Sequence, residues 1–195
     1  MRTNLRALAL LLFSVLLAGC YFDHPLTSGP SDDLNTWLLG VWESKDDKGR
    51  TIRAGVVPLA PDRYTVWYRI LGKRPQDTKE WRFEAWPSRV GNSTFLSLKC
   101  EKSGGEVPVG AYVFLHYQVL DQLRLITRPL QLDSGPEATS YELRKEVRAK
   151  LKERSLLPEM GTVWMRIAEV YWRPGDEGDG SFQPTRFPPT AKDKE

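Results

Sequence analysis

Between residues 38 and 132 apolar and polar side chains alternate with a period of two, in short runs separated by turn residues, and this pattern predicts antiparallel strands. The first run spans 38–44 and is followed by the turn cluster Asp46-Asp47-Lys48-Gly49. The second spans 50–57 and ends at Pro58. Run 63–71 carries Tyr64, Val66, Tyr68 and Ile70 on one face, and run 79–86 sets Trp81, Phe83 and Ala85 against Arg82 and Glu84. Gly91-Asn92 is a hairpin-type dipeptide. It leads into 93–100, where Thr94, Leu96, Leu98 and Cys100 share a face. Beyond Gly104-Gly105 come 110–120, apolar on both faces, and, after Asp121-Gln122, 123–132.

One segment changes period. In 140–153 Leu143, Val147 and Leu151 recur every fourth residue, and Thr139 with Glu142 three places later forms a capping box, so a helix is expected over about 139–154. Pro158 and Gly161 end it, and 161–172 reads as a final strand. Seven strands, a helix and an eighth strand make a mainly β chain, expected to close as an antiparallel barrel or sandwich. The flanks lack periodicity. Residues 20–33 (CYFDHPLTSGPSDD) read as a flexible tether with a reach of roughly 20 Å, and 174–195, rich in Pro, Gly and polar residues, as a disordered tail. The folded domain is expected over 34–173.

The N-terminus has a different character. Arg2 and Arg6 precede an uncharged apolar run, 7–18, of about 12 residues, too short for a hydrocarbon core that needs roughly 20. It therefore reads as the core of a signal peptide, residues 1–19. Leu17-Ala18-Gly19-Cys20 resembles the lipobox of bacterial lipoproteins. That resemblance implies diacylglycerol on the Cys20 thiol, cleavage before Cys20, and usually acylation of the new amine. Two or more acyl chains anchor stably where one binds only marginally. Tyr21, in a position where Asp would signal inner-membrane retention, implies export to the periplasmic face of the outer membrane. The resemblance implies no cofactor beyond this covalent lipid.

Charge and cysteine usage narrow the classes further. The formal charge is +3, of which Arg2 and Arg6 account for two, so the chain from Cys20 onward is nearly neutral. Nucleic-acid binding, which relies on clustered cations, is not expected. The two cysteines are Cys20 and Cys100, and a lipid on the first leaves the second without an intrachain disulfide partner.

Gly40-Val41-Trp42 at the start of the first strand resembles the opening of lipocalin-like (calycin) barrels. In those barrels the glycine turns the chain inward, the tryptophan closes the floor, and an arginine from the last strand stacks on it. The resemblance makes Trp42 and Arg166 the barrel floor. A helix just before the last strand fits the same order, whereas the family's central Thr-Asp-Tyr motif is replaced by Asp62-Arg63-Tyr64.

No catalytic or metal signature stands out. His24 falls in the tether segment, and His116 has no nucleophile elbow to serve. Neither Cys-x-x-Cys nor a spaced His pair is present, so no metal site is expected. Gly104-Gly105 lacks the Lys-Ser/Thr of a phosphate loop. Cys100 lies on an apolar strand face, as a small buried hydrophobe does. The expectation is therefore a non-enzymatic envelope lipoprotein that binds an apolar or amphipathic small molecule inside the barrel, with Tyr68, Trp81, Phe83 and Tyr117 as candidate ligand residues. The alternative is a structural or assembly lipoprotein that docks another envelope protein through exposed aromatics such as Trp67, Trp86 or Trp172. Cations along the helix, Arg144, Lys145, Arg148, Lys150, Lys152 and Arg154, are expected to form a solvated face or to lean on anionic headgroups.

Overall fold

The computed structural model describes residues 21–168. The segment 1–19 expected to be a signal peptide, Cys20, Trp172 and the tail expected over 174–195 lie outside the described residues.

Eight antiparallel strands, β1 (Gly40–Lys45), β2 (Thr51–Ala60), β3 (Arg63–Ile70), β4 (Lys79–Val90), β5 (Ser93–Lys102), β6 (Tyr112–Val119), β7 (Arg124–Pro129) and β8 (Thr162–Ala168), pair in sequence order. The barrel closes where β8 pairs with β1. Closure leaves no long unpaired edge, a liability for an open sheet. Among the described residues a single α-helix, α1 (Ser140–Glu153), precedes β8. The fold is thus mainly β, with the order of elements expected from the sequence.

Local chemistry fixes the turns. Between β1 and β2 the Asp46 carboxylate accepts from the backbone N–H of Lys48 and Arg50 at 3.0 and 2.8 Å and pairs with the Arg50 side chain at 2.6 Å. Gly91 takes φ +62° in the β4–β5 turn, a conformation open to glycine at no steric cost. At the head of α1 the Thr139 N–H donates to the Glu142 carboxylate at 2.9 Å, and the Glu142 N–H donates to the Thr139 hydroxyl at 3.4 Å, completing the capping box.

Two prolines do not end strands where the sequence suggests. β2 continues through Pro58 to Ala60, with a register shift between Pro58 and Ala60. β4 runs past Trp86 and Pro87 to Val90 because its pairing with β3 stops at Tyr64↔Ala85, so the missing N–H of Pro87 falls beyond that ladder.

Alternation sorts the strand residues into two cores. Inside the barrel lie Trp42, Ile52, Tyr64, Val66, Trp81, Phe83, Leu98 and Trp164 with their neighbours. Outside it, Val90, Phe95 and Phe114 from β4, β5 and β6 pack beneath Leu143 and Val147 of α1. The double-sided apolar character of 110–120 follows from this second layer.

The segment expected to be a tether completes that outer core. Phe22 exchanges backbone hydrogen bonds with Tyr112 at 2.9 and 2.7 Å and stacks on Phe114 at 5.2 Å, and Leu26 is fully buried. The Thr27 hydroxyl meets Ser88, which meets Ser97, at 2.7 Å each, so two buried hydroxyls on the barrel wall find partners. Further along, Asp32 pairs with Arg89 and accepts from Thr94. Residues 21–33 are therefore a docked strap along the barrel wall. The physical reason is that Phe22 and Leu26 fill the outer apolar face of β5 and β6, burial that offsets the entropy of ordering the segment.

Candidate functional site

The floor of the barrel is built from β1, β8 and the turn before β1. Gly40 has φ +140°, and a Cβ there would lie 2.8 Å from the Ala168 carbonyl, so only glycine lets the chain turn in at this point. The turn places Trp42, 1 % exposed, at the bottom of the core. Its indole N–H donates to the Leu38 carbonyl at 2.9 Å. Arg166 is the register partner of Trp42 on β8, its guanidinium 4.6 Å from the ring centre, and it also donates to the Trp37 carbonyl. Asn35 seals the same end. Its N–H donates to the Tyr64 hydroxyl at 2.6 Å, and that hydroxyl donates back to the Asn35 carbonyl at 3.2 Å. Burial pushes the Tyr64 phenol far above its ordinary range, so it stays protonated as this bond requires.

The four candidate ligand residues all belong to the barrel interior. Trp81 and Phe83 on β4 are buried, while Tyr68 on β3 and Tyr117 on β6 pack against them from positions still reachable by water. Tyr68 is the centre of an aromatic row, edge-on to Trp81 at 5.6 Å and to Trp164 at 6.2 Å. The inward wall is uneven. Ala85, Leu98 and Cys100 are closed off on β4 and β5, whereas inward Ala54, Val56, Ile70, Leu115 and Val119 are only partly buried.

Four buried polar atoms among the described residues lack a hydrogen-bond partner: the Trp86 Nε1 and His116 Nδ1 of the outer layer, the Arg166 Nε at the floor and the Trp81 Nε1 among the candidate ligand residues. The Trp81 indole N–H is buried and has no hydrogen-bond partner, in contrast to Trp164, whose N–H donates to Thr127 at 2.9 Å. Buried N–H groups are paired in the great majority of cases, and leaving one unmade costs about 1–3 kcal/mol. Above Trp81 the β5–β6 loop folds back over the barrel. A Cβ on Gly104 would strike the Glu80 backbone at 2.4 Å, one on Gly105 would touch the Trp81 ring at 3.4 Å, and Val107 packs into the core. The two glycines thus serve close approach of this loop to β4, a role their sequence context did not disclose.

The remaining candidates lie elsewhere. His116 faces the outer core, edge-on to Phe95 at 6.0 Å, and burial together with the Arg128 cation holds its pKa below the ordinary histidine range. Cys100 is fully buried, its Sγ 3.8 Å from the Val107 carbonyl, and burial raises its thiol pKa. Such a thiol is a poor nucleophile. Trp86, a candidate for an exposed docking aromatic, is only 4 % exposed, sandwiched between Tyr112 at 6.0 Å and the Arg63 guanidinium at 5.4 Å. It is buried because the longer β4 turns it outward into the layer formed by Tyr112 and Arg63. Among the described residues no three His, Cys, Asp or Glu side chains converge as a metal site would require.

The chain matches no protein-family model, no curated protein and no solved structure, so the reading of this site rests on its own geometry.

Proposed function

We propose that this chain is a lipid-anchored envelope lipoprotein whose barrel binds an apolar or amphipathic small molecule without catalysing its conversion. The observation that carries the binding reading is the buried, unpartnered Trp81 N–H inside a partly water-reachable aromatic wall. Apolar ligands are held by wall burial and oriented by a few placed polar groups. An acceptor atom on the ligand would relieve the orphan donor while its apolar part covers Tyr68, Ile70 and Phe83. The lipocalin-like arrangement of the Gly40–Trp42–Arg166 floor supports the same reading. Of the aromatics named for docking a partner protein, Trp86 is buried, Trp67 is partly buried, and Trp172 lies outside the described residues.

The anchor rests on Leu17-Ala18-Gly19-Cys20, and Tyr21 after the cysteine supports the periplasmic face of the outer membrane as its location. Cys20→Ala should block lipidation and leave an unprocessed precursor. Radiolabelled palmitate still entering the mutant would refute the anchor.

The binding reading is tested by titrating the protein with 1-anilinonaphthalene-8-sulfonate, an amphipath with acceptor oxygens, and following energy transfer from tryptophan. Saturable binding to the folded protein is expected, weakened about 3–10-fold in Trp81→Phe by loss of one hydrogen bond. Unsaturable binding, or equal affinity in the variant, would contradict it.

A further inference from the structure

The strap that follows position 20 is fastened to α1 itself. The Ser140 hydroxyl donates to the Pro25 carbonyl at 2.6 Å, and Arg144 donates to the Leu26 carbonyl at 3.1 Å. With Phe22 bridged to Tyr112, the docked strap begins two residues after Cys20. A lipid on Cys20 would therefore have almost no slack and would hold the barrel against the surface that carries it.

The helix turns a particular face outward. Residues 141, 145, 148 and 152 follow one another at spacings of four, three and four, so they stack along one ridge of the helix. The ridge points away from the buried Leu143 and Val147 and consists of exposed Tyr141, Lys145, Arg148 and Lys152. None of these three cations takes part in an ion pair among the described residues. Acidic groups are kept off the ridge. Glu142 is held in the capping box, and Glu146 accepts from the Asp133 and Ser134 backbone and lies 3.7 Å from Lys150. Glu142, Glu146 and Glu153 share the helix flank opposite Ser140 and Arg144, so the flank beside the strap is the cationic one. Along 21–31 the strap itself carries a single acid, Asp23.

We infer that the Tyr141–Lys145–Arg148–Lys152 ridge rests on anionic phospholipid headgroups and fixes the orientation of the barrel on the membrane. This rests on the proposed lipidation of Cys20. The charge of the ridge complements such a surface, with each cation near it contributing about a factor of five, and a tyrosine at its end suits the interfacial zone.

The test uses the full chain as its host processes it, reconstituted into phosphatidylcholine vesicles with and without phosphatidylglycerol and doped with a lipid bearing a nitroxide on its headgroup. A fluorophore is placed at Tyr141→Cys or, in the β1–β2 turn and so away from the strands beneath α1, at Lys48→Cys. Quenching several-fold stronger at 141 than at 48 is expected. It should depend on phosphatidylglycerol and fall to the level of position 48 when Lys145, Arg148 and Lys152 are all changed to Gln. Equal quenching at the two positions, or quenching at 141 indifferent to the triple change, overturns the ridge contact and leaves the cations for an acidic protein. The mass of the N-terminal peptide, read on the same samples, tests the anchor separately. A lipid found without the quenching difference sinks the ridge alone; quenching retained without a lipid sinks the anchor alone; the loss of both sinks both.

Discussion

The guanidinium of Arg166 on β8 lies 4.6 Å from the centre of the Trp42 indole on β1, at the seam where the barrel closes. Because the two residues are register partners on the first and last strands, their stack joins chain segments that meet only once the barrel has formed. Trp42→Ala is expected to destabilise the protein by about 3–5 kcal/mol, as core aromatic truncations do. Arg166→Ala should cost less, about 1–2 kcal/mol, since it removes a cation–π contact and one hydrogen bond from a half-buried side chain. Trp86→Ala should approach the Trp42 value, because its ring is buried too. Denaturant unfolding of the three variants beside wild type checks the order.

Leu26→Ala should destabilise by about 2–5 kcal/mol if the strap is an integral part of the outer core, since the side chain is fully buried beside α1. A free tether would give no change. Proteolysis gives an independent readout: the bonds between residues 22 and 31 should resist cleavage in wild type and become sensitive in Leu26→Ala.

Legibility followed from how local each signal was. The eight strands and the helix were written in short-range periodicity and in turn or cap residues such as Gly91 and Thr139, which act within a few positions. Gly40, Trp42 and Arg166 were legible as a set through a known architectural pattern. The strap was not, because Phe22 and Leu26 stand alone among Pro, Ser and Asp, and only the tertiary placement of Phe95 and Phe114 gives them somewhere to go. The one available clue was the double-sided apolar character of 110–120, which requires a cover on the outside of β6. β2 and β4 continue past Pro58 and Pro87 for a related reason: whether a missing N–H matters depends on which neighbouring strand is still present. Tyr68, Trp81, Phe83 and Tyr117 were readable as inward by alternation, but the lone N–H of Trp81 depends on the absence of an acceptor nearby and has no sequence signature.

His116 makes stability depend on pH in a definite window. Its folded pKa lies below the ordinary value of about 6.5, so the unfolded chain binds the proton more readily than the folded one. The stabilisation of the neutral ring is complete above about pH 6.5 and is lost as pH falls from there through the depressed folded value. The lowered carboxylates Glu80, Asp46 and Asp121 act at lower pH and leave this window to histidine. Midpoints of urea unfolding should fall between pH 7.5 and 5.5 in wild type and fall less in His116→Phe. A pH slope unchanged by the substitution would contradict the assignment.

The proposed ligand of the barrel interior is held at Trp81. Native mass spectrometry of the protein purified from its own host in mild detergent tests this most directly. A non-covalent mass beyond the polypeptide and any covalent modification is expected, released on denaturation and reduced in Trp81→Phe. A mass accounted for by the covalent protein alone, in a protein whose barrel is folded, would overturn the binding proposal.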